Sequence, residues 1–318
     1  MESERIKIMN NLVSIIIPSY GGADYLKRCI DSALGQTYKN IEIIVVDDNG
    51  AGSEGQLKTA AVMSQYKEDE RVVYVCHPVN KNGSAARNTG VKIAKGDYIS
   101  VFDDDDELYP NFVEEHMKVL PTLPKNYALT YCGFDVLNSD KKKIRVNEAN
   151  FTGQDLYSLF LHRVEIGSST MLIKKSVYLE LNGFDESFRR HQDWEFTVRV
   201  MSKYKVKALP IIGYARYLEN RNIPRSTEKS LEYRRFYLEK MKPYIALLPK
   251  RKQKDVIVYN LLNACLDYLF IEKNYSSFIK EYFRIKPGYR GVLFLMRSMR
   301  NRLTTLFKGV LLKRNHIQ

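Results

Sequence analysis

The chain has 318 residues, of which 44% are hydrophobic and 27% charged, and it carries 50 basic against 37 acidic residues. This composition excludes a disordered or fibrous protein and fits one large α/β core with an appended segment. The formal net charge of +13 indicates attraction to something anionic, and nucleic acid, lipid headgroups and phosphorylated ligands all remain open.

The N-terminal stretch Met1 to Asn11 carries four charged residues and no apolar run, so it does not predict a signal peptide. No uncharged apolar stretch reaches the roughly 18 residues that a membrane span needs, and a cytoplasmic protein is expected. The cysteines lie far apart among apolar neighbours, which predicts buried free thiols rather than disulfides or a zinc site. They are Cys29, Cys76, Cys132 and Cys265.

Short β-branched runs alternate with segments of helical period over the first hundred residues, which is typical of βαβ units around a parallel sheet. The predicted strands are Val13 to Pro18, Ile41 to Val46, Val72 to Val75 and Tyr98 to Phe102. The helices predicted between them are Ala23 to Leu34, Gly55 to Tyr66 and Ser84 to Ala94. Ligands of such sheets bind at the carboxyl ends of the strands, so we expect the site there.

Polar residues follow the first two predicted strands. Tyr20 offers a flat face for a nucleobase, although a lone tyrosine more often packs against its neighbours. Asp47 and Asp48 end the second strand, where a carboxylate can accept hydrogen bonds from a base or from a ribose hydroxyl. Because Asn49-Gly50 follows, the two aspartates equally suit a structural turn.

An acidic run, Asp103 to Glu107, directly follows the fourth predicted strand. Neighbouring carboxylates repel one another unless a cation lies among them, and oxygen ligands suit a hard divalent ion that keeps positions open for phosphate oxygens. The run therefore predicts a Mg²⁺ or Mn²⁺ site. A solvated acidic loop that precedes a helix is the alternative.

Small residues between Asn82 and Gly90 form a loop that leads into a helix, with Arg87 one turn inside it. A guanidinium held there can offset the charge of a diphosphate, whereas a surface arginine is the more ordinary outcome. The sequence has none of the patterns typical of P-loop kinases, dinucleotide enzymes or HExxH zinc proteases.

The middle of the chain predicts a mixed continuation of the sheet. The strands expected there are Tyr127 to Leu137 and Ser168 to Ile173, and the helices are Gly153 to His162 and Trp194 to Lys203. Asp193 is either the N-cap of the last helix or a general base that takes the proton of an acceptor hydroxyl. Trp194, the only tryptophan, either packs in the core or stacks on a sugar ring.

Together these motifs resemble the family 2 glycosyltransferases of the GT-A fold, over roughly residues 12 to 220. The matching segments are Val13 to Tyr20, Ser32 to Tyr38, Ile43 to Asp48, Ala85 to Asn88, Gly96 to Ile99 and the acidic run. The resemblance implies a Rossmann-like α/β domain with a mixed central sheet and an inverting transfer of sugar from a nucleotide diphosphate, with UDP the expected nucleotide. Gln192 departs from the usual glutamate before the base, and Gly21 from the asparagine that often follows the tyrosine.

The resemblance also implies roles for single residues. The residues that it places on the nucleotide side are Pro18, Tyr20, Asp48, Arg87, Asp103 and Asp104. Asp105 would contact the metal ion, Mn²⁺ or Mg²⁺, and Asp193 would be the catalytic base. The acceptor side would be shaped by Gly183, Asp185 and Trp194.

The C-terminal part of the chain changes to tyrosine- and lysine-rich helical patterns after about Ile223. No acidic residue follows Glu281, while basic residues accumulate around an apolar face at helical spacing. That face consists of Val292, Met296, Met299, Leu303, Leu306 and Val310. A basic amphipathic helix of this kind suits an anionic membrane surface, and packing on the catalytic domain is the alternative.

The sequence thus predicts a nucleotide-sugar-binding half over 1–107, an acceptor-binding half over 108–225 and a basic helical segment over 226–318. The expected partners are a nucleotide-diphosphate sugar, a glycan or lipid-linked glycan acceptor of cell-surface polysaccharide synthesis, and the inner face of the cell membrane. No nucleic acid is expected. The alternatives are a nucleic-acid or polyanion binder, which the net charge favours, and a catalytically inactive binder of nucleotide sugars.

Overall fold

The computed structural model describes residues 11–138, 140–218 and 226–300. This described part of the chain divides into two compact units. The first unit consists of Met1–Asp155 and Val164–Arg221, and the second of Leu156–Arg163 and Asn222–Gln318. All candidate site residues predicted from the sequence belong to the first unit.

One sheet of nine strands organises the described part of the first unit. The strands are β1 (Val13–Ser19), β2 (Ile41–Asp47), β3 (Val72–Cys76), β4 (Tyr98–Val101), β5 (Glu107–Leu108), β6 (Tyr127–Leu137), β7 (Lys143–Asn147), β8 (Met171–Lys174) and β9 (Lys205–Tyr217). Their order is β3-β2-β1-β4-β8-β6-β9-β5, with β7 paired to β6. The first four strands run parallel, whereas β8 is antiparallel to both β4 and β6. The predicted mixed sheet is confirmed.

The helices alternate with the strands in the first half of the chain and dominate its end. They are α1 (Ala23–Leu34), α2 (Glu54–Met63), α3 (Gly83–Ile93), α4 (Phe112–Val119), α5 (Leu156–Phe160), α6 (Lys175–Glu180), α7 (Gln192–Lys203), α8 (Thr227–Lys240), α9 (Lys242–Ile245), α10 (Lys250–Phe270) and α11 (Tyr275–Ile285). Residues 288–300 are helical as well.

The central strands are apolar on both faces because helices cover both sides of the parallel sheet. Every residue of β2 is buried, and Ile15, Ile16 and Ile17 of β1 have no exposed surface. Helix α3 lies very close to β1 at Gly90, where a Cβ atom would lie 2.3 Å from Cγ2 of Ile16. The small residues of the Asn82 to Gly90 segment thus serve helix–strand packing.

One predicted strand and one predicted helix begin later than expected, and three strands, β5, β7 and β9, were not predicted. The strand predicted from Ser168 begins at Met171, after a turn of 3₁₀ helix. Gly153 has a φ of 134° and pairs with Val206, so the helix predicted from Gly153 begins only at Leu156. Strand β9 contains Pro210, whose nitrogen cannot donate a hydrogen bond to the sheet. A proline in such a segment argues against a strand, so the sequence did not predict β9. The register between β6 and β9 shifts at this point, and the irregularity accommodates the proline.

All four cysteines are free thiols, as predicted. Three of them are buried, and Cys76 is partly exposed. Burial raises the pKa of the Cys29 and Cys132 thiols, so these groups stay protonated and uncharged near neutral pH.

The second unit is helical and has its own small core, formed by Leu231, Ala264, Cys265 and Tyr268. The second unit also contains a polar cluster. One guanidinium nitrogen of Arg234 lies 2.8 Å from both His162 Nε2 and Asn260 Oδ1. None of the helices within the described residues is long and apolar enough to cross a bilayer.

Candidate active site

The carboxyl ends of β1, β2 and β4 meet at one edge of the sheet. Ser19 pairs with Asp47 at the ends of β1 and β2, and the N–H of Phe102 donates to Ile16 at 2.9 Å. The segments that follow these strands therefore start from the same edge, because neighbouring parallel strands end together. These segments carry Tyr20, Asp48 and the acidic run. The ends of these strands thus bring together three of the features that the sequence had singled out.

Asp48 is buried, and each of its carboxylate oxygens has two partners at 2.7 to 2.9 Å. Those partners are the His77 ring, the Asn80 amide and the N–H groups of Lys81 and Asn82. Asp48 thus holds the loop that leads into α3, where the Asn82 side chain accepts from the first helical N–H groups. His77, Asn80 and Asn82 were missed by the sequence analysis.

Tyr20 projects from the end of β1 with 62% of its surface exposed, and it lies outside the buried core. Gly21 has a φ of 62° and donates its N–H to Asn49 at 2.9 Å. At Gly22 a Cβ atom would lie 1.8 Å from Oδ2 of Asp104. Two glycines therefore carry the chain from the exposed ring directly to the acidic run.

Arg87 lies one turn inside α3, and its side chain is only 8% exposed. One guanidinium nitrogen lies 2.7 Å from Oδ1 of Asp103. Gly83 makes room for it, since a Cβ atom there would lie 2.8 Å from another of its nitrogens. The surface-arginine alternative is therefore wrong.

The acidic run is held by several neighbours. The N–H of Asp103 donates to Ser169 at 3.2 Å, and Arg28 donates to the carbonyl oxygen of Asp105. The Arg28 guanidinium also lies 3.6 Å from the ring centre of Tyr217, whose N–H donates to Asp106 at 3.3 Å. The run is thus fixed by α1 and β9, and neither Arg28 nor Tyr217 was predicted.

The negative charge of this run is concentrated. Asp106 is buried, and burial together with the charges of Asp103 and Asp105 raises its pKa well above the ordinary value, against the opposing effect of Arg216. Across the described residues no three acidic, histidine or cysteine side chains are placed to hold one metal ion. A cation bound here would take its other ligands from phosphate and water, as Mg²⁺ commonly does.

Asp193 is the second residue of α7, which begins at Gln192. Its Oδ1 accepts from the N–H of Trp194 at 3.0 Å rather than from a later turn, so the N-cap alternative is wrong. Burial raises the pKa of Asp193 to about 6, while the charge of Arg87 lowers it and that of Asp103 raises it. The carboxyl group is thus within electrostatic reach of both.

Trp194 is partly exposed and lies outside the buried core. Its ring stacks on His191, with 4.1 Å between the ring centres and an angle of 12° between the planes. His191 itself adopts a left-handed conformation with a φ of 63°. An aromatic pair therefore flanks Asp193, with His191 two residues before it and Trp194 directly after it.

Gly183 and Asp185 belong to a turn that α3 holds in place. Gly183 has a φ of 63°, and a Cβ atom there would lie 2.4 Å from the amide oxygen of Asn88. Asn88 accepts from the N–H of Phe184 and donates to its carbonyl oxygen, each at 2.9 Å. Asp185 accepts from the N–H of Ser187 at 2.8 Å. Gly183 is thus a structural requirement of the turn.

We expect the Asn88→Ala variant to lose about 2 to 3 kcal/mol of unfolding free energy, because the backbone groups of Phe184 lose their partner. The change should appear as a lower urea midpoint with an unchanged slope. Ser187→Ala is in the same turn but changes an exposed side chain, so it should change the unfolding free energy by less than about 0.5 kcal/mol. Equal losses in the two variants would contradict this role of Asn88.

The chain is similar in sequence to known glycosyltransferases. The profile of glycosyl transferase family 2 matches residues 14–180. An uncharacterized glycosyltransferase of Rickettsia typhi is 37% identical over 203 residues, which span 61% of this chain and 60% of that protein. The amylovoran biosynthesis glycosyltransferase AmsB of Erwinia amylovora is 26% identical over 304 residues, 92% of this chain and 97% of AmsB.

Solved structures show the same fold. The S. aureus TarS fragment 1-349 in complex with UDP-GlcNAc superposes with a TM-score of 0.61 at 14% sequence identity, over 92% of this chain and 81% of that one. The predicted GT-A fold with a helical C-terminal region is confirmed by this likeness. The family match covers more than half of the sequence, and the chain belongs to glycosyltransferase family 2.

Proposed function

We propose that this chain is an inverting glycosyltransferase that moves a hexosyl or N-acetylhexosaminyl group from a UDP-sugar to a glycan acceptor. The observation that carries the proposal is the convergence of Arg87, Asp103 and Asp193 in one electrostatic cluster. It combines a cation for the leaving diphosphate with a carboxylate whose pKa of about 6 suits a general base.

The nucleotide side of the site is formed by the ends of β1 and β2. The exposed ring of Tyr20 provides a stacking face for a base, and Pro18 precedes it by two residues in β1. Asp48 acts mainly through the loop that it organises, since both carboxylate oxygens already have internal partners. Arg87 is the group for the diphosphate, because an anionic ligand can share the guanidinium with Asp103.

Asp103 and Asp105 would hold a divalent cation, Mn²⁺ or Mg²⁺, with Asp104 behind them against Gly22. The donor set fits such an ion, since it consists of carboxylate oxygens in a region of excess negative charge. When bound, the ion would neutralise charge that develops on the leaving phosphate oxygen. The protein's own contribution is to fix the loop through Arg28 and Ser169.

The transfer step follows from the placement of Asp193. The acceptor hydroxyl loses its proton to the Asp193 carboxylate as its oxygen forms a bond to the anomeric carbon. The bond from that carbon to the phosphate oxygen breaks, and the electron pair leaves with the nucleoside diphosphate beside Arg87. A single displacement from the opposite face inverts the anomeric centre. Gly183, Asp185 and Trp194 lie on the acceptor side.

The donor and acceptor classes rest on relatives. TarS is described in complex with UDP-GlcNAc, which supports a UDP-sugar donor. AmsB is named for amylovoran biosynthesis and aligns over 97% of its length, which supports a role in the synthesis of a cell-surface polysaccharide. A lipid-linked acceptor at the inner face of the membrane would be consistent with that role.

The test is binding and turnover across a panel of nucleotide sugars, with Mn²⁺ or Mg²⁺ and after metal removal by a chelator. One donor should bind in a metal-dependent way, and Asp105→Ala should abolish that dependence. Asp97→Ala is the matched control, because it removes an exposed carboxylate at the amino end of the same strand, β4. Wild-type protein that binds no donor, or that binds one without turnover, would contradict the proposal.

A further inference from the structure

Helix α11 presents an apolar stripe to solvent. Its inner face is anchored by Phe278 and Ile285, which pack against the small core of the second unit. Tyr275, Ile279 and Phe283 recur every four residues and are exposed, with 69% of the Phe283 surface open. Residues spaced by four lie along one side of a helix, so the three side chains form a continuous outer stripe.

The helical residues 288–300 expose further apolar side chains. They pack on α10 through Gly291, where a Cβ atom would lie 2.7 Å from Val258, and through Phe294, whose ring meets Tyr259 edge-on. The outward apolar residues remain exposed, including Tyr289 at 78%. We define the C-terminal apolar surface as Ile271, Tyr275, Ile279, Phe283, Tyr289, Val292, Leu293 and Met296.

Exposed apolar side chains are concentrated here. The described chain exposes 19 large hydrophobic residues, and eight of them belong to the C-terminal apolar surface. Single exposed hydrophobic residues are ordinary on a protein surface, but a group of this size marks a site of interaction.

The charge around the surface is strongly positive. Residues 271–300 contain seven lysines and arginines and two glutamates. Both glutamates have partners within the unit, since Glu281 pairs with Arg235 and Arg284 and Glu272 accepts from the N–H of Thr227. The exposed lysines Lys273, Lys280 and Lys286 therefore flank the apolar side chains without local compensation from these two acids.

This charge argues against occupants from the same chain. Two copies that met through this surface would bring their basic side chains together, which opposes association. The last 18 residues, 301–318, contain four basic and no acidic residues, so their attachment here would also be repelled. A nucleic acid would match the charge but would leave the aliphatic side chains without a partner.

We infer that the C-terminal apolar surface docks on an anionic phospholipid bilayer, with the apolar side chains at the acyl boundary and the lysines among the headgroups. This inference deepens the proposed function, because it names the surface that would bring the site to a lipid-linked acceptor. The inferred membrane-binding region thus includes α11, which lies upstream of the basic amphipathic helix predicted from the sequence.

The experiment is sedimentation of the full chain with vesicles of phosphatidylcholine alone and of an equal mixture with phosphatidylglycerol. Wild-type protein should bind the anionic vesicles and lose binding at high salt. We expect the double variant Ile279→Ser/Phe283→Ser to lose vesicle affinity by a factor of at least about ten, since two apolar anchors are removed. The matched control, Leu57→Ser/Leu179→Ser, removes two exposed leucines from the first unit and should bind like wild type.

Charge is tested separately with Lys280→Glu, which should weaken binding about fivefold or more, against Lys125→Glu as an exposed control in the first unit. Equal binding by all variants, or equal binding to neutral vesicles, would overturn the inference. The inference would also be overturned if light scattering showed a dimer of the wild-type protein and a monomer only for Ile279→Ser/Phe283→Ser. Donor hydrolysis without vesicles is measured in parallel, so failure of the proposed sugar transfer remains distinguishable from failure of membrane docking.

Discussion

The Asp193→Asn variant is expected to lose sugar transfer by a factor of about 10² to 10⁴ while it still binds the donor. The amide has nearly the shape of the carboxyl group but cannot take a proton from the acceptor hydroxyl. Transfer by the wild-type enzyme should fall as the pH drops through about 6, because the base is then protonated. Donor affinity should change little over the same range.

The same substitution should stabilise the fold, which a residue with only a structural role would not do. The pKa of Asp193 is raised to about 6 in the folded state, whereas an aspartate in the unfolded chain titrates near about 3.9. Ionised Asp193 therefore costs the folded state free energy above pH 6, and the cost disappears as the pH falls below about 4. We expect Asp193→Asn to gain about 1 to 3 kcal/mol at pH 7 to 8 and nothing at pH 4.

Urea unfolding of both proteins at several pH values checks this expectation. The difference in unfolding free energy between variant and wild type should rise between about pH 4 and 6 and then stay constant. A difference that is independent of pH would mean that Asp193 has an ordinary pKa. Loss of stability at neutral pH would mean that its carboxylate serves the fold rather than the reaction.

Sequence patterns placed several candidate site residues correctly at one edge of the sheet because those residues follow strand ends. The strands β1, β2 and β4 are short and buried at nearly every residue, so the residues that follow them fall at a predictable edge. Tyr20 was placed near this edge by the same reasoning, whereas Arg87 was singled out by the loop of small residues that leads into α3. Strand β9 escaped because Pro210 interrupts its pattern, and only the shifted pairing with β6 explains the strand.

Residues that act through partners distant in sequence could not be found in this way. Asn88 contacts a turn that follows it by 96 residues, and Arg28 contacts the acidic run across 77 residues. Neither belongs to a local pattern that marks its role. The buried carboxylate of Asp48 illustrates the same point. Its hydrogen-bond donors could come from a nucleotide or from the protein's own loop, and only the tertiary contacts identify the loop as their source. Such assignments require tertiary contacts.

Arg87 and Asp103 should shift the pKa of Asp193 in opposite directions, which is the second large expected effect. Arg87 lowers that pKa and Asp103 raises it. Arg87→Met should therefore move the acidic limb of the pH–rate profile upward, and Asp103→Asn should move it downward. Transfer by Arg87→Met should also fall by about 10²-fold or more, because the leaving diphosphate loses its cation.

Residual activity is not required to see the opposite shifts. Each variant is paired with the same protein carrying Asp193→Asn, and the pH above which the difference between their unfolding free energies becomes constant reports the pKa of Asp193 in the folded protein. Arg87→Lys keeps the positive charge and should leave this pH closer to the wild-type value than Arg87→Met does. Shifts in the same direction for Arg87→Met and Asp103→Asn would show that Asp193 responds to a general loosening of the site. Opposite shifts would mean that the three side chains form one electrostatic unit, in which an anionic donor that draws Arg87 from Asp103 also changes the protonation of the base.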